Sequence, residues 1–164
     1  MIDIDISTAQ QLTSPNPFAL ISTMKGDGTT NLMALSWWTY VSNDPAMIAI
    51  SLSNRGYSGE CIKHNREFGL SIVGEKIRDA AFKCGTCSGR DIDKAKEFGI
   101  PLFGADLISP QLVSGSRLCF ECRIDQMLIV SDHTLYVGQI AKIHADPGIP
   151  GLYAMNGYST LGLL

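Results

Sequence analysis

Residues Asn31–Pro45 read NLMALSWWTYVSNDP, and the two adjacent tryptophans constrain the fold more than any other feature. The run is strand-like, and neighbouring side chains on a strand point to opposite faces. One core therefore cannot hold both indoles, and each face of this segment needs a large, flat cover. The period-2 pattern does not decide which indole meets which cover. The Trp37 face (Asn31, Met33, Leu35) and the Trp38 face (Leu32, Ala34, Ser36) are both mixed.

The flanking sequence supplies partners. Phe18–Lys25 is apolar and β-branched, and the GDGT that follows signals a turn, so it predicts a hairpin with a long strand over Thr30–Val41. Ala46–Leu52 reads as a short buried strand, Tyr57–Glu67 as a helix with Ser58 as its N-cap, and Phe68–Val73 as a strand. Glu75–Lys83 has helical amphipathicity, CGTCSGRD is a turn, and Ile92–Phe98 is a short helix closed by Gly99. Arg117–Val130 and Asp132–Asp146 are the longest strand candidates, joined near SDH, while the tail beyond them shows no periodicity. Short helices between non-sequential strands predict one mainly β (α+β) domain over residues 1–164. Its expected form is an antiparallel, Greek-key-like barrel, closed or split, rather than a βαβ sheet.

Hydrophobic residues make up 45% of the 164 and charged residues 18%, so a second subunit is expected to cover some apolar surface. A formal net charge of −3 argues against a nucleic-acid or anionic-membrane footprint. No apolar run reaches the ~18 residues of a membrane span. The opening MIDIDISTAQ alternates Ile with Asp and has no basic start, which predicts no signal peptide, a cytoplasmic setting and five reduced thiols.

With an acidic net charge, an anionic ligand needs local cations. SLSNRGYSGECI (Ser51–Ile62) runs from a strand end into a helix start, where free N–H groups and the positive dipole end gather. Arg55 can place two N–H bonds on a phosphate, and Ser58 can add its hydroxyl. Ser88, Arg90 and Lys94 form a second cluster at the next helix start, in SGRDIDK. The plainer alternative at both places is a capped helix with solvated cations. Neither stretch has the glycine spacing of a Walker A or dinucleotide fingerprint.

Cys84-x-x-Cys87 and Cys119-x-x-Cys122 resemble zinc-ribbon halves in spacing, so a zinc or thiol structural module stands as a remote alternative. Against it, the second pair lies in a strand, where positions i and i+3 face opposite ways. His64, His133 and His144 show no metal-ligand spacing, and His133 beside Asp132 is the histidine placed to line a cleft mouth.

NPFALISTM, NLMALSWW, VSNDPAMIAISLSNRGYS, EFGLSIV, CGTCSGRDIDK, LCFECRI and DHTLYVGQIAKIHAD arrive in the order found in the flavin reductase-like family, which the chain resembles over roughly residues 15 to 146. That resemblance implies an FMN-binding split barrel of the flavoredoxin type, built as a homodimer with one FMN per subunit. It puts Asn31, Met33, Ala34, Ser36 and Trp37 beside the flavin ring, with Trp38 left to the core. It puts Arg55 and Ser58 on the ribityl phosphate, with Arg90 and Lys94 approaching the same end, and Ser51 and Ser88 complete the expected cofactor-binding set. His133 and Tyr158 become candidates for the substrate side, and Gln139 stands where relatives tend to carry Glu. The implied activity is electron transfer from NAD(P)H through flavin to an acceptor. The alternative is a flavoredoxin-like carrier with tightly held FMN and a redox-protein partner.

Overall fold

The computed structural model describes residues 1–164. Helix α1 (Ile6–Leu12) and the short strand β1 (Asn16–Pro17) lead into β2 (Ala19–Met24), β3 (Thr30–Leu35), β4 (Trp38–Asn43) and β5 (Ala46–Ser53). Helix α2 (Tyr57–Asn65) and β6 (Glu67–Val73) follow, then a single 3-10 turn (Glu75–Ile77), α3 (Arg78–Lys83) and α4 (Lys94–Glu97). The chain ends with β7 (Leu102–Phe103), β8 (Leu112–Val113), β9 (Ser116–Val130), β10 (His133–Ala145), β11 (Tyr153–Met155) and β12 (Thr160–Gly162). No helix is long and apolar enough to cross a membrane.

Seven strands form one antiparallel sheet in the order β3-β2-β6-β9-β10-β5-β4. The edge strands β3 and β4 are consecutive in sequence. The strand expected over Thr30–Val41 is thus two strands, separated where Ser36 and Trp37 leave one ladder and the chain crosses to the other edge. The Trp37 carbonyl accepts from the Ser51 N–H at 2.9 Å as the second ladder begins. Continuity of the chain, rather than a final ladder, brings the edges together, which makes the barrel split. Register shifts at Val137/Gly138 and Ile140/Lys142 add the local twist that curls the long β9–β10 ribbon.

Alternation on β2 divides the interior. Ala19 and Ile21 enter the barrel core with Ile48, Ile50, Phe68, Leu70, Phe120 and Tyr136, while Phe18 and Leu20 join an outer core under α3 and the tail. Helix α2 packs against β2, β3 and β5. It approaches closely at Gly59, where a Cβ would lie 2.8 Å from the Tyr136 hydroxyl. The two indoles part company because Trp37 lies outside the ladders. Trp38 packs on the barrel core and its Nε1–H donates to the Pro17 carbonyl at 3.1 Å, whereas Trp37 is 48% exposed.

Other expectations shift at element ends. Helix α2 stops at Asn65, because Arg66 turns left-handed (φ 62°). Gly56 caps its start with no side-chain bond, so Ser58 is not the N-cap. The helix expected over Ile92–Phe98 shrinks to Lys94–Glu97, with the Asp93 carboxylate accepting from the Lys96 N–H at its start. The tail expected to be irregular contributes β11 and β12, and β1 pairs with β11.

Candidate functional site

Strand β3, the start of α2 and the turn after α3 converge on a cleft of about 450 Å³. Asn31, Met33 and Ala34 come from β3, Arg55 to Ser58 from the loop into α2, and Cys84 to Gly89 with Lys94 from the α3–α4 segment. No carboxylate is among these residues, and Arg55 and Lys94 are the cations. In a chain of net charge −3 that is a local reversal of sign.

Each element contributes a donor for a local reason. Asn31 is 2% exposed, and its Nδ2 donates to Thr23 Oγ1 at 3.1 Å and Ser58 Oγ at 2.9 Å. Its Oδ1 is buried without a partner. Gly89 makes this packing possible, since a Cβ there would collide with that same oxygen. The first turn of α2 has no side-chain cap, so its leading N–H groups are available to an anion.

Lys94 is the least expected member. It is 3% exposed, and its Nζ donates to the Cys84 carbonyl at 2.6 Å. Burial pulls its pKa below the ordinary lysine value, and the neighbouring Cys87 and Cys84 thiols push the other way. A buried ammonium with one carbonyl partner retains donor capacity and is stabilised by an incoming anion. The unpartnered Asn31 oxygen, the buried Lys94 and the bare helix start fit a polar ligand with a phosphate-bearing end.

Among the residues expected from the sequence, Asn31, Met33, Ala34, Arg55, Ser58, Ser88 and Lys94 line this cleft. Arg90 does not. It forms an ion pair with Glu60 and lies 5.0 Å over the Tyr57 ring, behind the cleft wall. Ser36, Trp37 and Ser51 form a neighbouring group at the β3–β4 break, joined by the Ser51–Trp37 backbone bond. The Trp37 ring packs 5.1 Å from His133, whose Nδ1 lies 2.9 Å from Asp132. Asp132 is held below the usual carboxylate range by that bond first, then by the charges of His133 and Arg55.

Tyr158 takes a different place. Its ring stacks on Phe82 (5.6 Å, 17°) in the outer core, and its buried hydroxyl has no partner. Burial, with Cys84 adding to it, raises that hydroxyl's pKa well above the ordinary tyrosine value. The cysteines are all free thiols. Cys119 and Cys122 belong to separate cores on the two faces of β9, as their spacing in a strand demands. Sequence reasoning missed Tyr57 and the CGTC turn as lining; the turn's proximity to SGRD was the available signal.

The sequence matches the flavin reductase like domain over residues 12–162. An uncharacterized Escherichia coli protein, YddH, is 31% identical over 125 residues, which is 75% of this chain and 66% of that relative. A Pseudomonas fluorescens NADH-dependent flavin reductase is 27% identical over 85% of this chain and 79% of its own. The matched stretches span 66%, 66% and 63% of the first three curated relatives. Among solved structures, the Methanosarcina acetivorans flavoredoxin superposes with a TM-score of 0.87 at 22% identity, over 100% of this chain and 91% of that one.

Proposed function

The chain belongs to the flavin reductase-like family, and from that premise we propose that it is an FMN-binding oxidoreductase moving electrons from NAD(P)H through flavin to an acceptor. The observation that carries the reading is the buried Lys94 ammonium, with Arg55 the other cation, lining a cleft that has no acidic residue. Arg55, Ser58, Ser88, Lys94 and the first turn of α2 hold the phosphate in this reading. Asn31 offers its unpartnered oxygen to a ligand hydroxyl or N–H. Met33, Ala34 and Trp37 give the ring an apolar border, with Ser36 and Ser51 beside it. His133, packed in a tilted contact with Trp37, is the residue we assign to the exposed edge that an incoming donor or acceptor meets.

Bound flavin supplies two-electron chemistry with a reduced nicotinamide, and the chain supplies placement and local charge. Titrating the purified protein with FMN and then adding NADH or NADPH tests the proposal. Rapid loss of the ~450 nm flavin band supports the reductase, slow or absent loss with tight FMN supports a flavoredoxin-like carrier, and no FMN binding ends both. A second copy of the chain is the proposed partner for the apolar flank formed by Tyr40, Val41 and the β9–β10 ribbon.

A further inference from the structure

We propose that Cys84 and Cys87 are a thiol–disulfide exchange site on the wall of the cleft, closing reversibly to a disulfide that governs ligand entry. The inference rests on the flavin reading for its consequence but not for its chemistry. Both residues line the cleft, Cys84 wholly buried and Cys87 half-buried, and both are free thiols. The chain between them continues as a tight helical turn, with the Gly85 N–H donating to the Phe82 carbonyl at 3.1 Å and the Thr86 N–H to the Lys83 carbonyl at 3.0 Å. Residues three apart on such a turn have Cα atoms about 5 Å apart, inside the Cα separation a disulfide spans, and closure needs only the two side chains to turn toward each other. The reduced Cys87 thiol rests against the Lys83 carbonyl, at 3.6 Å.

Exposure sets the order of events. A low-molecular-weight disulfide reaches Cys87 first, whose thiolate attacks one sulfur to give a mixed disulfide and release one thiol. Cys84 then attacks the Cys87 sulfur, forming the internal bond and releasing the second thiol. Two electrons and two protons pass from the protein thiols to the small disulfide, and a thiol reductant returns them. Burial pushes the Cys84 thiol up to about 12, so its thiolate fraction is small and internal closure is the slow step that follows the mixed disulfide. Closure changes the cleft because the same turn carries Ser88 and Gly89, and because the Cys84 carbonyl orients Lys94.

The test oxidises the full chain with glutathione disulfide, alkylates remaining thiols and maps the peptides. FMN affinity is read by fluorescence titration before oxidation, after it, and after dithiothreitol. A Cys84–Cys87 link is expected, with FMN binding weakened about tenfold or more and restored on reduction. Cys87→Ser, a change at the half-buried position, should form neither link nor mixed disulfide, while Cys84→Ser should stall at the mixed disulfide. Absence of the link in the wild-type chain, or a link with unchanged FMN affinity, overturns the proposal. Should the reduced protein fail to bind FMN while the link still forms, the flavin reading falls and the exchange site stands.

Discussion

The Asn31 side-chain amide donates to the Ser58 hydroxyl at 2.9 Å, joining β3 to the first turn of α2 across 27 residues of sequence. The same nitrogen donates to Thr23 Oγ1 on β2, so one buried amide fixes two strands and a helix start relative to each other. This bond positions the floor of the cleft, because α2 itself begins without a side-chain cap.

Asn31→Ala should therefore lower stability by about 1–3 kcal/mol, the cost of leaving buried partners unmet. It should also weaken FMN, since Ser58 loses its tether. Urea denaturation and fluorescence titration measure the two effects. Full retention of FMN affinity would detach Asn31 from the ligand site.

Arg55→Ala should weaken FMN by roughly 1.5–3 kcal/mol, or about ten- to 150-fold, with little change in stability because the side chain is exposed. Lys94 acts through protonation. Its pKa is lowered by burial, so the unliganded protein loses this cation at a lower pH than an ordinary lysine would. A phosphate favours the charged form, and FMN affinity should fall as pH rises through that lowered value. Lys94→Met should be weaker at neutral pH and should flatten this alkaline loss. A profile identical to wild type would remove Lys94 from the phosphate.

How much was legible in advance follows from the range of each signal. The continuous apolar, β-branched run at Phe18–Lys25 and the two long runs Arg117–Val130 and Asp132–Asp146 specified strands because side-chain burial and β-branching act locally. The Ser36–Trp37 break was invisible, since the residues on either side both favour strands and only pairing to opposite sheet edges separates them. Arg55 and Ser58 were readable from a strand-to-helix loop. Arg90 looked equivalent to Lys94 in sequence, yet Glu60, thirty residues away, captures it while Lys94 turns inward. The tail strands form through pairing with β1, a contact with no periodic signature.

The two tryptophans should respond differently to truncation. Trp38 packs on the barrel core and bonds the Pro17 carbonyl, so Trp38→Ala should cost about 2–4 kcal/mol. Trp37 stands outside the ladders, so Trp37→Ala should stay within about 1 kcal/mol of wild type while weakening FMN. Equal losses of stability would contradict this division.

Apolar side chains at Leu128, Ile129 and Val130 crowd the tip of β9, with Ile129 75% exposed. A second copy covering them predicts a dimer by light scattering at micromolar protein. Ile129→Asp should shift that species towards monomer, because it places a charge in a dry contact. A wild-type monomer under those conditions would count against self-association.

Glu121 supplies the clearest pH test. Its buried carboxylate accepts from the Asp106 N–H at 3.0 Å, the Leu107 N–H at 2.6 Å and His144 Nε2 at 2.7 Å, tying the 104–109 loop to β9 and β10. Burial alone would push this group up, but the two amides and His144 outweigh it and hold it below the usual glutamate range. A folded-state pKa lowered in this way contributes stability that is complete above the unfolded value of about 4.3 and is lost as pH falls through the folded value. Glu121→Gln should accordingly cost about 1.5–3 kcal/mol at pH 7, where three bonds to a charged acceptor are altered. The gap from wild type should narrow below pH ~4, because protonation then strips the native carboxylate of the same advantage. Urea melts of both proteins from pH 7 to pH 3 measure it, and a gap that stays constant across that range would show that the Glu121 charge does not hold the loop.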